Sequence, residues 1–218
     1  MIYSEEYIRK KLKLYFILGS SNCLRNPVEV LEEAVQGGIT FFQFREKGPG
    51  CKTGKEKLML AKQLQEICKQ NEVPFIVNDD IDLALELDAD GVHIGQEDEN
   101  PLNVRTRIGN KILGISAHNV TEARLAIEQG ADYIGVGPMY PTNTKTDTRA
   151  VQGPTVIKEI RSQHITIPVV GIGGISKGLI KPVINAGADG VAIISAISQA
   201  VDPKTEASLL LNEMQSTV

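Results

Sequence analysis

A short pattern that recurs along the chain constrains the fold more than any other feature of the sequence. Three copies begin at Asp88, Gly130 and Gly187, and each turns through Ala-Asp into a short apolar segment. A looser copy covers Gly37–Arg45, in which Gly-Gly-Ile-Thr takes the place of the turn. Each copy follows a helix-like stretch, so the pattern marks a repeated passage from a helix into a strand.

Strand-like segments become more numerous when the copies are combined with the apolar stretches between them. The expected strands are Leu14–Leu18, Thr40–Arg45, Phe75–Asn78, Gly91–His93, Ile112–Ser116, Tyr133–Val136, Val169–Gly171 and Gly190–Ile193. Short apolar strands that alternate with helices pair in parallel and are buried on both faces of the sheet. Eight such units in 218 residues predict an α/β fold, a single closed (β/α)₈ TIM barrel over residues 1–218, rather than an open doubly wound sheet.

Local signals predict several helices, and three of them have distinctive features. Ser4–Lys11 is amphipathic and precedes the first strand, so we expect an extra N-terminal helix that caps the barrel floor. Asn119, with Glu122 three residues later, resembles a capping box. Pro182 lies inside the helical pattern Lys177–Ala186, which predicts a helix that is kinked or begins late.

Composition excludes several classes of function. The net charge of −4 argues against a generally basic nucleic-acid surface, although it leaves room for a local cationic pocket. No apolar run approaches the ~20 residues that span a bilayer, and the N-terminus lacks the features of a signal peptide. The three cysteines have no metal-ligand or redox spacing. These features predict a cytoplasmic protein with reduced thiols and neither nucleic acid nor membrane as a partner.

The second predicted strand ends in a group of polar side chains. Because side chains alternate along a strand, Gln43, Arg45 and Lys47 project together, and Phe42 and Phe44 point the other way. Active sites of TIM barrels lie at the C-terminal ends of the strands. We therefore expect the three polar residues to face the active site.

Polar or glycine residues also follow the other strands. In chain order they are Asn78, Asp79 and Asp80; Gln96 and Asp98; Ser116 and His118; Thr142, Thr144 and Lys145; Gly173 and Gly174; and Ile194 and Ser195. The strands are expected to be parallel, so their C-terminal ends should meet at one mouth.

Two acids at this mouth suggest a metal ion. Asp79 and Asp98 follow neighbouring strands, and Arg45, Lys47 and Lys145 are expected beside them. Mg²⁺ prefers oxygen ligands and is often held by one or two carboxylates together with substrate phosphates. The set predicts Mg²⁺ shared with a phosphorylated substrate. The alternative is that Asp79 or Asp80 only caps a turn after Asn78.

The last two strands are followed by a candidate phosphate site. Gly173-Gly174 and Ile194-Ser195 occupy the loops that form the usual phosphate cradle of such barrels, where backbone N–H groups point at the anion. The alternative is that the glycines only form turns. Met139–Gly153 is a long polar loop, which is either a lid over substrate or a solvated surface loop.

These motifs together resemble the thiamine phosphate synthase family, from about Tyr15 to Gln199. The matching motifs are Gln43–Lys47, Val77–Asp80, His93–Asp98, Gly114–His118, Gly137–Lys145, Gly171–Ile175 and Ile193–Ala196. Each motif alone is of modest specificity, but the ordered set is highly specific. The resemblance implies a transferase that joins 4-amino-5-hydroxymethyl-2-methylpyrimidine diphosphate to 4-methyl-5-(2-phosphonooxyethyl)thiazole, giving thiamine monophosphate and diphosphate.

The resemblance also implies residue roles. Asp79 and Asp98 would bind Mg²⁺. The catalytic residues would be Arg45, Lys47, Ser116 and Lys145. The substrate-binding residues would be Gln43 at the pyrimidine; Arg45, Lys47, Asn78 and Lys145 at the diphosphate; Ser116 near the departing diphosphate; and Thr142, Thr144, Gly174, Ile194 and Ser195 at the thiazole phosphate.

Other functions remain open on the sequence alone. A thiazole tautomerase would use the same barrel without the diphosphate set, and His118 could shuttle its proton. A sugar-phosphate isomerase or epimerase would not need Gln43–Lys47. A non-catalytic binding protein for thiamine precursors would keep the site without turnover. The outer helix faces could be solvated or paired, so a homo-oligomer is also open.

Overall fold

The computed structural model describes residues 3–142 and 150–216. Its strands are β1 (Leu14–Leu18), β2 (Phe41–Phe44), β3 (Phe75–Asn78), β4 (Gly91–Ile94), β5 (Ile112–Ala117), β6 (Tyr133–Val136), β7 (Val169–Ile172) and β8 (Gly190–Ile193). All neighbours pair in parallel in chain order, and β8 pairs with β1, so the barrel is closed. The predicted (β/α)₈ barrel is therefore confirmed, with strand ends that differ by a single residue at most.

Helices surround the barrel. They are α1 (Glu5–Lys11), α2 (Pro27–Gln36), α3 (Gly54–Gln70), α4 (Ile81–Glu86), α5 (Pro101–Ile108), α6 (Val120–Glu128), α7 (Thr155–Ser162), α8 (Ile180–Asn185), α9 (Ser195–Ser198) and α10 (Pro203–Gln215), with a 3₁₀ turn at Ser20–Asn22. In the described part of the chain, none of these helices has the length and apolar character needed to cross a membrane.

The N-terminal helix closes the floor of the barrel, meaning the end at which the strands begin. Ser4 caps α1 by accepting a hydrogen bond from the backbone N–H of Tyr7. Ile8 and Leu12 are fully buried and belong to the cluster that fills the barrel interior. The predicted cap on the floor is confirmed.

The helix that contains Pro182 begins late. It starts at Ile180, so Pro182 lies in its first turn. In that turn the backbone N–H groups have no partner within the helix, and a residue that lacks an N–H is tolerated there. Of the two predicted outcomes, a kink or a late start, the structure shows the late start.

The Ala-Asp repeat links pairs of neighbouring strands at the floor. The aspartate that precedes the second strand of a pair accepts a hydrogen bond from an amide at the start of the first strand. Phe75, Leu113 and Val169 donate in this way to Asp90, Asp132 and Asp189, each at 2.8 Å. In the looser copy, Thr40 Oγ1 accepts from the amide of Leu14 at 2.9 Å. The repeat is thus a strand-capping device, and it explains why the sequence pattern recurs.

Two arginines extend this device. Arg161 donates to the carboxylate of Asp189 at 2.8 Å and to the carbonyl oxygens of Gly187, Ile165 and Ile167 at 2.8–2.9 Å. Arg105 makes the same kind of fork around Asp132 and three loop carbonyls. Each guanidinium satisfies backbone groups that would otherwise end unpaired at the floor.

Candidate active site

A cavity of about 450 Å³ opens at the mouth, the end at which the strands terminate. Parallel strands bring their C-terminal ends together here, as the fold requires. Predicted site residues that line the cavity are Lys47, Asp98, Ser116, Thr142, Gly174, Ile194 and Ser195. Segments separated by more than a hundred positions in the sequence therefore share one site.

Two carboxylates flank one lysine at the mouth. Lys47 Nζ contacts the carboxylate of Asp79 and lies 3.2 Å from Asp98 Oδ1. Asp98 Oδ2 also accepts a hydrogen bond from the amide of Gly95 at 2.7 Å. Asp79 takes a left-handed backbone conformation with φ of 60°, which is uncommon outside glycine and frequent at functional positions. Both acids are within reach of a single cation.

The pKa values of Asp79 and Asp98 are shifted in opposite directions. Burial, reinforced by the neighbouring Asp98, raises the pKa of the Asp79 carboxyl to about 6. Burial acts in the same direction on Asp98, but hydrogen bonds from Asp79, Gly95 and Lys47 outweigh it and hold the pKa of Asp98 below its usual value. The two carboxylates share a single lysine.

The adjacent acid has a structural role. Asp80 is the N-cap of α4, accepting from the amide of Leu83 at 3.0 Å. Its other oxygen lies 2.7 Å from Lys57 Nζ. The turn-capping alternative therefore describes Asp80, whereas Asp79 faces Lys47.

Arg45 supplies a cation that no acid in the described part of the chain neutralises. Its side chain is half-buried at the end of β2, and within residues 3–142 and 150–216 its guanidinium makes neither a hydrogen bond nor an ion pair. Asn78 ends β3 and is also half-buried. A half-buried, unpaired guanidinium is suited to a bidentate anionic ligand such as a phosphate.

Glu46 was missed by sequence reasoning. It is buried, and its carboxylate accepts from the amide of Ser20 at 2.7 Å and from the amide of Lys52 at 2.6 Å. It thereby joins the loops that follow β1 and β2. The available signal was its position in the alternation, which places a charge on the same face as Phe42 and Phe44, where it needs buried partners.

A second missed feature is a chain of buried polar groups across the barrel. Gln43 Nε2 donates to Tyr15 Oη at 2.7 Å, and Tyr15 Oη lies 2.8 Å from Tyr133 Oη. His93 lies 3.0 Å from Tyr133 Oη through Nδ1 and 3.0 Å from Ser116 Oγ through Nε2. Gln43 and Ser116 were predicted site residues, but no sequence signal linked them through the barrel interior.

His118 lines the cavity and has a local structural partner. Its Nδ1 lies 2.7 Å from Glu122 Oε2, which also accepts from the backbone amide of His118 at 2.8 Å. Asn119 caps α6 by accepting from the amide of Glu122 at 2.8 Å. The predicted capping box is thus half correct, because the glutamate binds the amide one residue before the cap.

The glycines after β7 are needed for close packing as well as for the turn. Gly173 and Gly174 have φ values of 100° and 64°. A Cβ at Gly174 would lie 2.5 Å from the carbonyl oxygen of Pro141, so only glycine permits this approach. The turn-forming alternative is therefore correct as far as it goes, and it leaves the phosphate role untested.

Part of the predicted site falls outside the described residues. Thr144 and Lys145 lie in the segment 143–149, which the structure does not describe, as does about half of the predicted lid at Met139–Gly153. Their proposed roles therefore stay predictions. Thr142, the last described residue before this segment, is half-buried and lines the cavity.

Comparison with known proteins yields one family. Residues 14–197 match the family described as thiamine monophosphate synthase. A thiamine-phosphate synthase from Bacillus cereus (strain 03BB102) is 57% identical over 215 residues, covering 99% of this chain and 98% of the relative. One from Bacillus velezensis is 56% identical over 212 residues, covering 97% of this chain and 95% of the relative.

Solved structures agree with this result. A thiamine phosphate pyrophosphorylase from Pyrococcus furiosus superposes with a TM-score of 0.87 at 34% identity, covering 97% of this chain and 99% of that one. The 3-hexulose-6-phosphate synthase from Salmonella typhimurium superposes with a TM-score of 0.70 at 18% identity, covering 94% and 100%. The second likeness concerns the fold alone.

Proposed function

The chain belongs to the thiamine monophosphate synthase family, and from that premise we propose how its residues carry out the transfer. The enzyme is a transferase that condenses 4-amino-5-hydroxymethyl-2-methylpyrimidine diphosphate with 4-methyl-5-(2-phosphonooxyethyl)thiazole. The products are thiamine monophosphate and diphosphate. We propose a dissociative substitution that is assisted by Mg²⁺ and carried out at the mouth of the barrel.

The acids at the mouth fit a magnesium ion. Asp79 and Asp98 offer oxygen ligands that both reach the position of one ammonium group. Burial, with Asp98 beside it, raises the pKa of Asp79 to about 6, so a bound cation would stabilise its ionised form. Among the described residues, no group of three or more histidine, cysteine or acidic side chains is placed to hold a metal ion. Two carboxylates would leave other positions to water and substrate oxygens, as Mg²⁺ prefers. Bound there, Mg²⁺ would supply positive charge to the departing diphosphate.

The protein's own cations would hold the diphosphate. The environment of Arg45 is the observation that carries this proposal. Its half-buried guanidinium has no acidic partner among the described residues, and it follows β2 two residues before Lys47. Asn78 adds an amide at the end of the next strand. Lys145 would complete the set. Fixed donors of this kind stabilise charge as it develops, without the cost of reorganising water.

The aminopyrimidine would lie deeper in the barrel than the diphosphate, and the thiazole phosphate would lie on the opposite side of the mouth. Gln43, inside the barrel, would face the aminopyrimidine, and Ser116 would lie near the departing diphosphate. Four residues that line the cavity, together with Thr144, would take the thiazole phosphate: Thr142, Gly174, Ile194 and Ser195. The two anionic groups would thus be held on opposite sides of the cavity, with the reacting atoms between them.

The chemistry needs no protein nucleophile. The C–O bond to diphosphate breaks and its electron pair leaves with the diphosphate, while the electron-rich aminopyrimidine stabilises the positive carbon. The thiazole nitrogen then supplies the electron pair of the new C–N bond and has no proton to lose. The residues of the site therefore act by positioning and electrostatics.

Several broader properties follow as proposals. The family's substrates are small molecules. We infer that residues 1–218 form one catalytic domain, since strands of a single barrel run from residue 14 to residue 193. We also infer a cytoplasmic location, where precursors of cofactor biosynthesis are available.

An end-point assay tests the proposed function. Purified protein is mixed with both phosphorylated precursors and Mg²⁺, and the product is detected by oxidation to a fluorescent thiochrome. A parallel sample contains a chelator, and a third contains the chelator with excess Mg²⁺. We expect product in the first and third samples only. Absence of product while both precursors remain intact would contradict the synthase, and undiminished product under the chelator would contradict the metal.

A further inference from the structure

The buried polar chain across the barrel joins two residues that the proposed function assigns to the pyrimidine substrate. It runs from Gln43 through Tyr15, Tyr133 and His93 to Ser116, with successive distances of 2.7, 2.8, 3.0 and 3.0 Å. The first four side chains are at most 7% exposed. Only Ser116, at the far end, reaches the cavity wall. A buried network of this kind is costly unless each member is satisfied, so its hydrogens must be ordered.

The number of hydrogens on each side chain determines which group donates in each hydrogen bond of this series. Burial raises the pKa of both tyrosines, so each keeps its single hydroxyl hydrogen. Tyr15 already accepts from Gln43 Nε2. If Tyr133 donated to Tyr15 as well, the hydrogen of Tyr15 would have no acceptor within residues 3–142 and 150–216. Tyr15 must therefore donate to Tyr133.

The same logic fixes the histidine. Tyr133 accepts from Tyr15, so its own hydrogen goes to His93 Nδ1. Nδ1 is then an acceptor that carries no proton, and the ring proton of His93 lies on Nε2. From Nε2 it is donated to Ser116 Oγ at 3.0 Å. Each oxygen in the series accepts one hydrogen bond and donates the next.

We propose that Tyr15, Tyr133 and His93 form a positioning relay that keeps the His93 proton on Nε2 and turns the hydroxyl hydrogen of Ser116 into the cavity. This inference rests on the proposed function, which places Ser116 near the departing diphosphate. Gln96 Nε2 holds the Ser116 carbonyl oxygen at 2.6 Å, so the backbone of Ser116 is also fixed. The Ser116 hydroxyl is then a prepared donor for a substrate oxygen.

The other end of the relay is closed off from the cavity. Gln43 donates through Nε2 to Tyr15, and its side chain is only 2% exposed. The relay therefore presents its donor to the cavity at the Ser116 end, and that donor is set by buried residues that need not touch the substrate.

The tautomer of His93 can be measured without catalysis. The chain has three histidines, so ring-nitrogen NMR of ¹⁵N-histidine-labelled, substrate-free protein can be assigned with a His93→Gln variant. We expect a proton on Nε2 of His93 and none on Nδ1 in the wild type, and a mixture of tautomers in Tyr133→Phe. A wild-type signal with the proton on Nδ1 would overturn the relay, whether or not the synthase assay succeeds.

Kinetics test whether the relay acts through Ser116. We expect Tyr133→Phe to lower kcat about tenfold, the equivalent of one lost hydrogen bond, with little change in KM. In a Ser116→Ala background the same change should cost nothing further, because coupled residues are not additive. Tyr3→Phe is the matched control: its hydroxyl donates to Asp90 at 2.7 Å on the floor, and its loss should leave kcat within twofold.

The outcomes separate cleanly. A Tyr133→Phe enzyme as active as Tyr3→Phe, or losses that add in the double variant, would overturn the relay. If Tyr133→Phe does not fold, Tyr15→Phe interrupts the same series of hydrogen bonds one residue earlier. We expect the same mixture of His93 tautomers and the same loss of kcat from it. Failure of the wild-type enzyme to make product would contradict the proposed function instead, and the tautomer of His93 would still decide the relay.

Discussion

At the scale of single residues, the place of a side chain in the barrel decides its work more than its chemical type does. Asp79 and Asp80 are adjacent acids, yet one contacts Lys47 at the mouth and the other caps α4 and pairs with Lys57. Asp189 has a third role: at the floor it accepts a hydrogen bond from a strand amide and forms ion pairs with two arginines. Acids of the same type therefore cap a helix, join loops or share a lysine according to where the fold places them.

The floor network leads to a prediction about stability. Arg161→Ala removes donors to three carbonyls and to Asp189, leaving half-buried acceptors unpaired. We expect a loss of about 2–3 kcal/mol in the free energy of unfolding, measured by urea denaturation. Arg124→Ala is the control, because Arg124 makes an exposed hydrogen bond to Gln163 and should cost less than about 0.5 kcal/mol.

Turnover should be unaffected by the same change. The floor lies at the opposite end of the strands from the cavity, so the folded Arg161→Ala enzyme should keep kcat within about twofold of the wild type at a temperature where it is folded. A variant as stable as Arg124→Ala would show that the repeat does not hold the floor together.

At the scale of elements, loops set the shape of the site. The β7–α8 loop packs its glycines against the segment that follows β6, with Tyr140 N donating to the Gly173 carbonyl at 2.9 Å. The loops after β1 and β2 are joined through Glu46. These connections fix the cavity wall from outside the barrel.

A pair of glycines in the β7–α8 loop tests this role. Gly174 and Gly178 both have positive φ, but a Cβ at Gly174 would meet the Pro141 carbonyl at 2.5 Å, whereas one at Gly178 would meet nothing within 4 Å. Gly178→Ala should cost about 1–2 kcal/mol of backbone strain and leave the kinetics unchanged. Gly174→Ala should cost the same strain and also displace the cavity wall.

The readout is the KM for the thiazole phosphate. We expect it to rise at least about tenfold in Gly174→Ala, as for one lost hydrogen bond, and to stay within twofold in Gly178→Ala. Equal KM values in the two variants would contradict a role for the Gly174 loop in binding the thiazole phosphate.

Elements also show what a sequence can and cannot predict. The strands follow from local repetition and from the apolar stretches between the copies, and Pro182 alone predicts that α8 is kinked or begins late. The relay does not, because Tyr15 and Tyr133 are 118 residues apart, and alternation predicts which face each occupies but not which hydroxyl it meets. Local patterns predict elements and faces, whereas partners depend on the register of a closed barrel.

At the scale of the whole molecule, the barrel separates two tasks. Its floor is closed by α1 and by aspartate–arginine forks, and its mouth gathers Arg45, Lys47, Asp79 and Asp98 in a protein whose net charge is −4. Local charge at the mouth, rather than the overall charge, matches the anionic substrates. At this mouth, we propose, Asp79 and Asp98 hold Mg²⁺ for the diphosphate.

The most direct test is the Mg²⁺ dependence of turnover in three proteins: wild type, Asp98→Asn and Asp82→Asn. Asp82 is an acid whose side chain is 89% exposed, so it controls for the loss of charge. We expect Asp82→Asn to follow the wild-type curve and Asp98→Asn to need about tenfold more Mg²⁺ or greater for half-maximal rate, at a lower maximum. An Asp98→Asn curve that coincides with the other two would contradict a metal site at Asp79 and Asp98.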